Sequence, residues 1–342
     1  MELEIDTIEI RSRRYLGNKF KLLGFIESII SENVGSYGSF CDMFAGTGVV
    51  GEYFNKQDVK IISNDLLHSN FLILSSWLTS THKNIDIDKI KIYISKFNML
   101  SGKKPNYVSR TFGNKYFSRP NAIKIGLIRD LIDKDGGLNA LEKNILITSL
   151  IYALDRVANT CGHYDAYRKK MDSFNELILK LPNIKFENNS NNEVFKMDAN
   201  SLIDHIKIDI LYLDPPYNSR QYSDAYHVLE NISEWKKPKV FGVAKKMDRS
   251  HIKSDYNLST AKEAFKNLID SANAKYILLS YNTTENKLNN RSNAKLPTEF
   301  IISVLKSKGT LKIYEKEFNQ FTTGKTNLNK HKERIYFVKV NK

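Results

Sequence analysis

Apolar residues along the chain follow two rhythms. Short, nearly continuous runs bounded by Gly, Asn, Asp or Pro occur at Phe40–Phe44, Val59–Ser63, Val194–Met197, Ile208–Leu213, Tyr276–Tyr281 and Ile335–Val340. Their length and punctuation predict buried parallel strands. Between the first of them the spacing shifts to threes and fours. Leu22, Leu23, Ile26, Ile29 and Ile30 share one face of a helix predicted over Asn18–Ile30, and Leu67, Phe71, Leu74 and Leu78 do the same over Leu66–Leu78. Strands alternating with helices imply an α/β layered domain with a largely parallel sheet.

The alternation breaks between Ser80 and Val194. A parallel crossover needs only roughly a dozen residues, so most of this stretch is surplus. Helical periodicity over Ile85–Phe97, Ala122–Ile132 and Leu138–Ala158 predicts a mostly helical lobe inserted into the sheet domain. Within it, cations and aromatics interleave: Lys103, Lys104, Tyr107, Arg110, Phe112, Lys115, Tyr116, Phe117, Arg119. That pattern fits nucleic acid and an ordinary lobe surface equally well.

Composition narrows the class. The 342 residues are 41% hydrophobic, enough for a sizeable core, and Lys+Arg exceed Asp+Glu by 52 to 38, a formal charge of +14. Such a surplus points to a polyanionic partner, although a Lys-rich composition alone accounts for part of it. Cys41 and Cys161 are too few for a disulfide framework, and Cys161 with His163 does not make a zinc site; a buried thiol and a polar loop histidine are expected there. Met1–Ile10 carries four acidic residues and no apolar signal core, and no apolar stretch approaches the roughly 20 residues of a membrane span. The expectation is a cytoplasmic protein.

Two strand ends carry the chemistry. Phe40–Cys41–Asp42–Met43–Phe44–Ala45–Gly46–Thr47–Gly48 reads as a strand, a tight glycine turn and a helix start, the ligand-binding position of open α/β sheets. A third glycine, Gly51, follows Val49 and Val50 and lies on the helix. Asp42 would repel a pyrophosphate but suits the amino group of a methionine moiety, which favours S-adenosylmethionine over a dinucleotide. Asp65 follows the second strand, placed either to bond ribose hydroxyls or to cap the next helix, or both. Asp198 follows the third, as an acceptor for an adenine amino group or as a loop acid.

Ile210–Leu213 then runs into Asp214–Pro215–Pro216–Tyr217. The prolines stiffen the loop. The Asp214 carboxylate and the Pro215 carbonyl can each accept one hydrogen from a single NH2 group. That pushes the nitrogen toward a pyramidal shape and localises its lone pair, and Tyr217 offers a flat face for the base. A base in a duplex reaches such a loop only by being flipped out. Displacement at a sulfonium methyl calls for neither a covalent intermediate nor a metal ion, so orientation carries most of the rate.

With these motifs the chain resembles the D12 class of adenine-N6 DNA methyltransferases, the Dam-like class with the alpha motif order. Arg14–Tyr15–Leu16–Gly17–Asn18–Lys19 matches its first motif, with Asn18 where a second Gly is usual. Asn218–Tyr222 and His227–Glu230 are similar to the methylases of type IIS restriction–modification systems that include the FokI methylase. The resemblance implies a Rossmann-like S-adenosylmethionine-dependent sheet over 1–80 and 191–342, and a target-recognition lobe over 81–190. It also implies cofactor contacts from Tyr15 and Lys19, double-stranded DNA as partner and a functional pairing with a restriction endonuclease.

The cofactor set expected is Tyr15, Lys19, Asp42, Phe44, Ala45, Gly46, Thr47, Gly48, Asp65 and Asp198. The DNA set is Arg220, Tyr222, Arg110, Lys115, Arg119 and Lys245. Seven cations in the eighteen positions 236–253 add a phosphate-gripping stretch or a solvated loop face, and Trp235 before it reads as core. A monomer is expected. Asp214 argues against the Asn-Pro-Pro-Tyr of protein glutamine methyltransferases and the Ser-Pro-Pro-Tyr of N4-cytosine enzymes. An RNA substrate and a non-catalytic nucleic-acid-binding protein are the remaining alternatives.

Overall fold

The computed structural model describes residues 4–216, 219–281, 296–318 and 331–341. In chain order the elements are β1 (Thr7–Ile8), α1 (Leu23–Asn33), β2 (Ser39–Asp42), α2 (Val49–Phe54), β3 (Lys60–Asn64) and α3 (His68–Leu78). Next come α4 (Ile87–Met99), α5 (Tyr107–Thr111), α6 (Arg119–Lys134), α7 (Ala140–Val157), β4 (Leu181–Pro182) and β5 (Glu193–Phe195). The chain continues through α8 (Ala199–Ile203), β6 (Ile208–Leu213), α9 (Tyr222–Ala225), α10 (His227–Glu234), α11 (Ala261–Ser271) and β7 (Ala274–Ser280). It ends with α12 (Thr298–Lys308), β8 (Gly309–Phe318) and β9 (His331–Val340).

Seven strands form one sheet in the order β5-β3-β2-β6-β7-β9-β8, while β1 and β4 pair separately. The five strands β5, β3, β2, β6 and β7 are mutually parallel. The expected parallel strand at Ile335–Val340 runs the other way: β9 is antiparallel to both β7 and β8. It follows β8 as the return arm of a two-strand ribbon, and direction is a property of that connection which an apolar run cannot reveal. The chain order reverses between β2 and β6, which makes their carboxyl ends the switch point where such sheets bind ligands.

Alternation along the strands divides the core into two faces. Ile210 and Tyr212 of β6 belong to one buried cluster with Phe40, Ile61 and the helices α1–α3. Leu211 and Leu213 face the other way, with Cys41, Ile277 and residues of α8, α11 and α12. The helices of the 81–190 stretch pack on the first face only, as a layer outside α3. This gives α3 an unusual environment: Leu72, Ile73, Leu74, Trp77 and Leu78 are all buried, between sheet and α7, rather than one stripe of it. Small residues allow the close approach, with Ser76 Oγ 2.9 Å from Thr148 Oγ1 of α7.

A helix buried on all sides must satisfy its end groups from protein. At the start of α3, Glu230 of α10 accepts hydrogen bonds from the His68 (2.9 Å) and Ser69 (2.7 Å) N–H groups. At its end, Asn189 Nδ2 donates to the Trp77 (2.9 Å) and Ser80 (2.8 Å) carbonyls. Among the described residues no helix is long and apolar enough to cross a membrane.

Glu230→Ala removes the acceptor of two buried N–H groups at a helix start. We expect a loss of roughly 1–3 kcal/mol in unfolding free energy, measured by urea denaturation; an unchanged midpoint would refute the capping role.

Candidate active site

The carboxyl ends of β2 and β6 lie side by side, with Asp42 paired in register to Tyr212. They open into a cleft of about 900 Å³ of empty space, part of it open to solvent. Of the expected site residues it brings together Tyr15, Lys19, Asp42, Phe44, Ala45, Gly46, Thr47, Asp65, Asp198, Asp214, Pro216 and Tyr222. Pro215 is buried beside it. Tyr217 lies outside the described residues.

The glycine turn is built by close approach. Gly46 and Gly48 adopt left-handed φ values of 53° and 81°. A Cβ on Gly46 would stand 2.9 Å from Tyr15 Cε1, and one on Gly48 would stand 2.7 Å from Leu74 Cδ2. Asp65 holds the turn in place: its Oδ2 accepts from the Gly46 N–H at 2.9 Å and its Oδ1 from the Leu67 N–H at 2.8 Å. Asp65 therefore braces the glycine turn against the entry to α3. Asp198 caps α8, accepting from the Asn200 (3.0 Å) and Ser201 (3.2 Å) N–H groups through Oδ1.

Three carboxylates share this dry space. Burial, reinforced by the neighbouring Asp214, pushes Asp42 up to about 8 against a hydrogen bond from the Gly51 N–H. Burial also raises Asp65 and Asp214, each to about 6. Lys19 opposes the rise at Asp214, with Nζ 3.2 Å from Asp214 Oδ1. Lys19, expected at the cofactor, lines the cleft with its amine toward the proline-loop carboxylate. Asp42 is 1% exposed and its Oδ2 has no hydrogen-bond partner among the described residues. A buried acceptor left open beside a glycine turn fits a ligand bearing an ammonium group.

Several supporting residues were not anticipated. Tyr15 stacks on Tyr226 (4.6 Å between centroids, 7° between planes), and the Arg13 guanidinium lies 5.2 Å from the Tyr15 ring. Arg13 is paired with Asp155 of α7 at 3.1 Å. The Tyr226 hydroxyl accepts from the Leu16 N–H at 2.8 Å. Asn64 joins three strand ends, donating to the carbonyls of Met43 (3.2 Å) and Met197 (3.0 Å) and accepting from the Met197 N–H (3.0 Å). Its adjacency to Asp65 was the one available signal. Tyr222, expected on DNA, stacks against Tyr15 at 5.5 Å and lines the cleft.

The basic stretches divide. Arg110, Arg119 and Arg220 are exposed, Lys115 and Lys245 partly so. The Tyr116 hydroxyl donates to the Ala244 carbonyl at 2.9 Å, which sets the Lys115 turn beside the Lys245 turn. The interleaved aromatics are core: Phe112, Tyr116 and Phe117 are fully buried, because the cations alternate with them on the outside of one compact turn. Four of the seven cations in 236–253 are paired with acids, Lys236 with Glu234, Lys237 with Asp130, Lys246 with Asp165 and Asp224, and Arg249 with Asp224. Trp235 is 6% exposed and ends α10 in a left-handed conformation. Cys161, expected to be buried, is exposed.

The sheet order and the acidic cleft at its switch point define a ligand-binding α/β domain that joins a glycine turn to an Asp-Pro-Pro loop. Residues 15–287 match the family of D12 class N6 adenine-specific DNA methyltransferases, and the chain belongs to that family. It is 36% identical over 286 residues to the modification methylase StsI of Streptococcus sanguinis, covering 79% of this chain and 44% of that protein. It is 34% identical over 345 residues to the type II methyltransferase M.FokI of Planomicrobium okeanokoites, covering 94% and 50%. Against M.NlaIII of Neisseria lactamica it is 29% identical, covering 94% and 96%. The chain thus spans about half the length of StsI and M.FokI and nearly all of M.NlaIII.

The raised Asp42 carboxyl fixes the sign of a stability effect. The native state keeps a proton that the unfolded chain releases above the ordinary value of 3.8, so wild type loses stability as pH rises toward about 8. Asp42→Asn has no such proton, and its melting temperature is expected to gain on wild type progressively from pH 5 to pH 8. A constant difference across that range would contradict the burial cost.

Proposed function

We propose that this chain transfers the methyl group of S-adenosylmethionine to N6 of a flipped-out adenine in double-stranded DNA, as the modification unit of a restriction–modification system. The observation that carries the reading is one cleft shared by Asp214, on its proline-stiffened strand end, and by Asp42 with the glycine turn. Family membership supports both the substrate class and the methyl donor. The relatives named modification methylases and type II methyltransferases support the role beside an endonuclease. A soluble, cytoplasmic monomer fits this role.

Asp42 would hold the ammonium of the cofactor's methionine end, Asp65 and Asp198 would face its ribose and adenine, and Tyr15, Phe44, Ala45, Gly46 and Thr47 would form the walls around it, with Gly48 shaping the turn behind them. When bound, the cofactor supplies an electrophilic sulfonium methyl. The chain supplies orientation. The Asp214 carboxylate and the Pro215 carbonyl accept one hydrogen each from the adenine amino group, and Tyr217 stacks on the base. Lys19, beside Asp214, keeps that carboxylate ionised and ready to accept.

Residues 81–190 would carry target recognition on the catalytic unit formed by 1–80 and 191–342. Arg110, Lys115, Arg119, Arg220 and Lys245 would meet phosphates, with Tyr222 at the boundary between cofactor and base.

Sequencing methylated adenines in DNA from cells expressing the chain is expected to yield one recognition sequence. Absence of adenine methylation there, or transfer of labelled methyl to structured RNA but not to duplex DNA, would overturn the reading. Asp214→Ala is expected to lower kcat on the order of a hundredfold or more; equal activity would discard the assignment. The acid limb of kcat/KM should fall near pH 6, where Asp214 takes up its proton. Because Lys19 lowers that value, Lys19→Met should move the limb to higher pH; a limb that stays in place would exclude the ion pair from the mechanism.

A further inference from the structure

The segment between α10 and α11 contains a braced turn with bare apolar side chains. At Phe241–Lys246 the chain doubles back: the Phe241 N–H donates to the Lys246 carbonyl at 2.7 Å, and the Lys246 N–H to the Phe241 carbonyl at 3.0 Å. Gly242 (φ 65°) and Lys245 (φ 53°) shape the tip. The buried Tyr116 hydroxyl holds it from below through the Ala244 carbonyl. Despite this support, Phe241 is 64% and Val243 is 80% exposed. A slack loop would fold such side chains onto the surface; the bracing keeps these two in water.

Position and charge identify what meets them. Lys246 Nζ reaches Asp224 Oδ1 at 3.3 Å and Arg249 NH2 reaches it at 2.7 Å, which ties the turn to α9, just beyond the proline loop. Ile252 and Ser254, a few residues further on, line the cleft itself. Asp224 directly follows Tyr222 and Ser223, which also line the cleft, so its pair with Lys246 sets the base of the turn next to the cleft wall. Lys239, Lys245 and Lys253 flank it with no ion pair among the described residues. Two apolar side chains are far too small an area for protein docking, and the cations around them favour a polyanion. Apolar tips behind a ring of cations suit stacked bases behind phosphates.

We propose that Phe241 and Val243 form a wedge that enters the base stack of the duplex beside the target adenine and fills the gap while the base lies in the cleft. This rests on the DNA reading above. Extruding a base costs stacking and pairing. A rigid apolar insert replaces part of the lost stacking and delays the return of the base, while Lys245 and Lys253 hold the backbone on either side.

The test uses the full chain, its recognition sequence and two duplexes. In one the target adenine is paired; in the other it faces an abasic site, so that extrusion is already cheap. Phe241→Ser/Val243→Ser is expected to lower kcat/KM about tenfold or more on the paired duplex, yet to remain within about twofold of wild type on the abasic one. Phe241→Trp, which keeps a stacking ring, should stay within about twofold of wild type on both. Unchanged cofactor affinity in each variant verifies the fold. Equal loss on both duplexes, or no loss on the paired one, would overturn the wedge. Failure of the wild-type protein to methylate either duplex would instead sink the DNA reading, and the wedge with it.

Discussion

Everything at the switch point turns on the burial of negative charge. Asp42, Asp65 and Asp214 converge at one cleft, and burial pushes each toward its neutral form. The fold moderates this unevenly. Asp65 has two backbone N–H donors and Asp214 has Lys19, but Asp42 keeps an open oxygen. A ligand bringing positive charge to Asp42 relieves the repulsion, which a neutral one leaves in place and an anionic one worsens. The electrostatics therefore select the ligand class before any shape is considered.

The same cleft explains why the 81–190 helices are not a separate appendage. Asp155 of α7 pairs with Arg13, Arg13 lies over Tyr15, and Tyr15 packs against Gly46. Each step is a direct contact, so the position of the glycine turn depends on a helix of the 81–190 stretch. Tyr152 of α7 adds a second tie, donating its hydroxyl proton to the Ile10 carbonyl at 2.6 Å. Contacts of this kind oppose independent movement of the two parts, because separating them would leave the buried Arg13 charge unpaired.

The strand ends were readable because glycine, proline and acid punctuate short apolar runs there, as at Asp42 and Asp214. The antiparallel ribbon was not. β8 alternates apolar with charged residues, as in Leu311, Lys312, Ile313, and most of its described side chains are exposed at the sheet edge, so it lacks a buried run. Tyr226 is far in sequence from Arg13 and Tyr15, and nothing local marks the three as a stack. The stretch with Phe112, Tyr116 and Phe117 left two readings open for a related reason: alternating aromatics and cations describe a turn that buries one set and exposes the other as well as they describe a nucleic-acid surface. The Cys41 and Cys161 environments differ because only Cys41 lies on a strand.

Charge counted from sequence overstates what a partner can feel. Of the cations in 236–253, Lys237, Lys246 and Arg249 are neutralised by Asp130, Asp165 and Asp224, acids that no sequence window places beside them. Those pairs serve to fix the segment to α6, α9 and the loop before them. Gln221 and Ser254 exchange two further hydrogen bonds, at 3.0 and 2.9 Å, on the cleft side of the same segment. The division of labour follows: paired cations set the position of the loop that flanks the proline turn, and Lys239, Lys245 and Lys253 keep their charge for what arrives from solvent. A phosphate backbone laid against this face would thus meet a few cations held at fixed places, a geometry suited to registering a duplex over the cleft rather than merely attracting it.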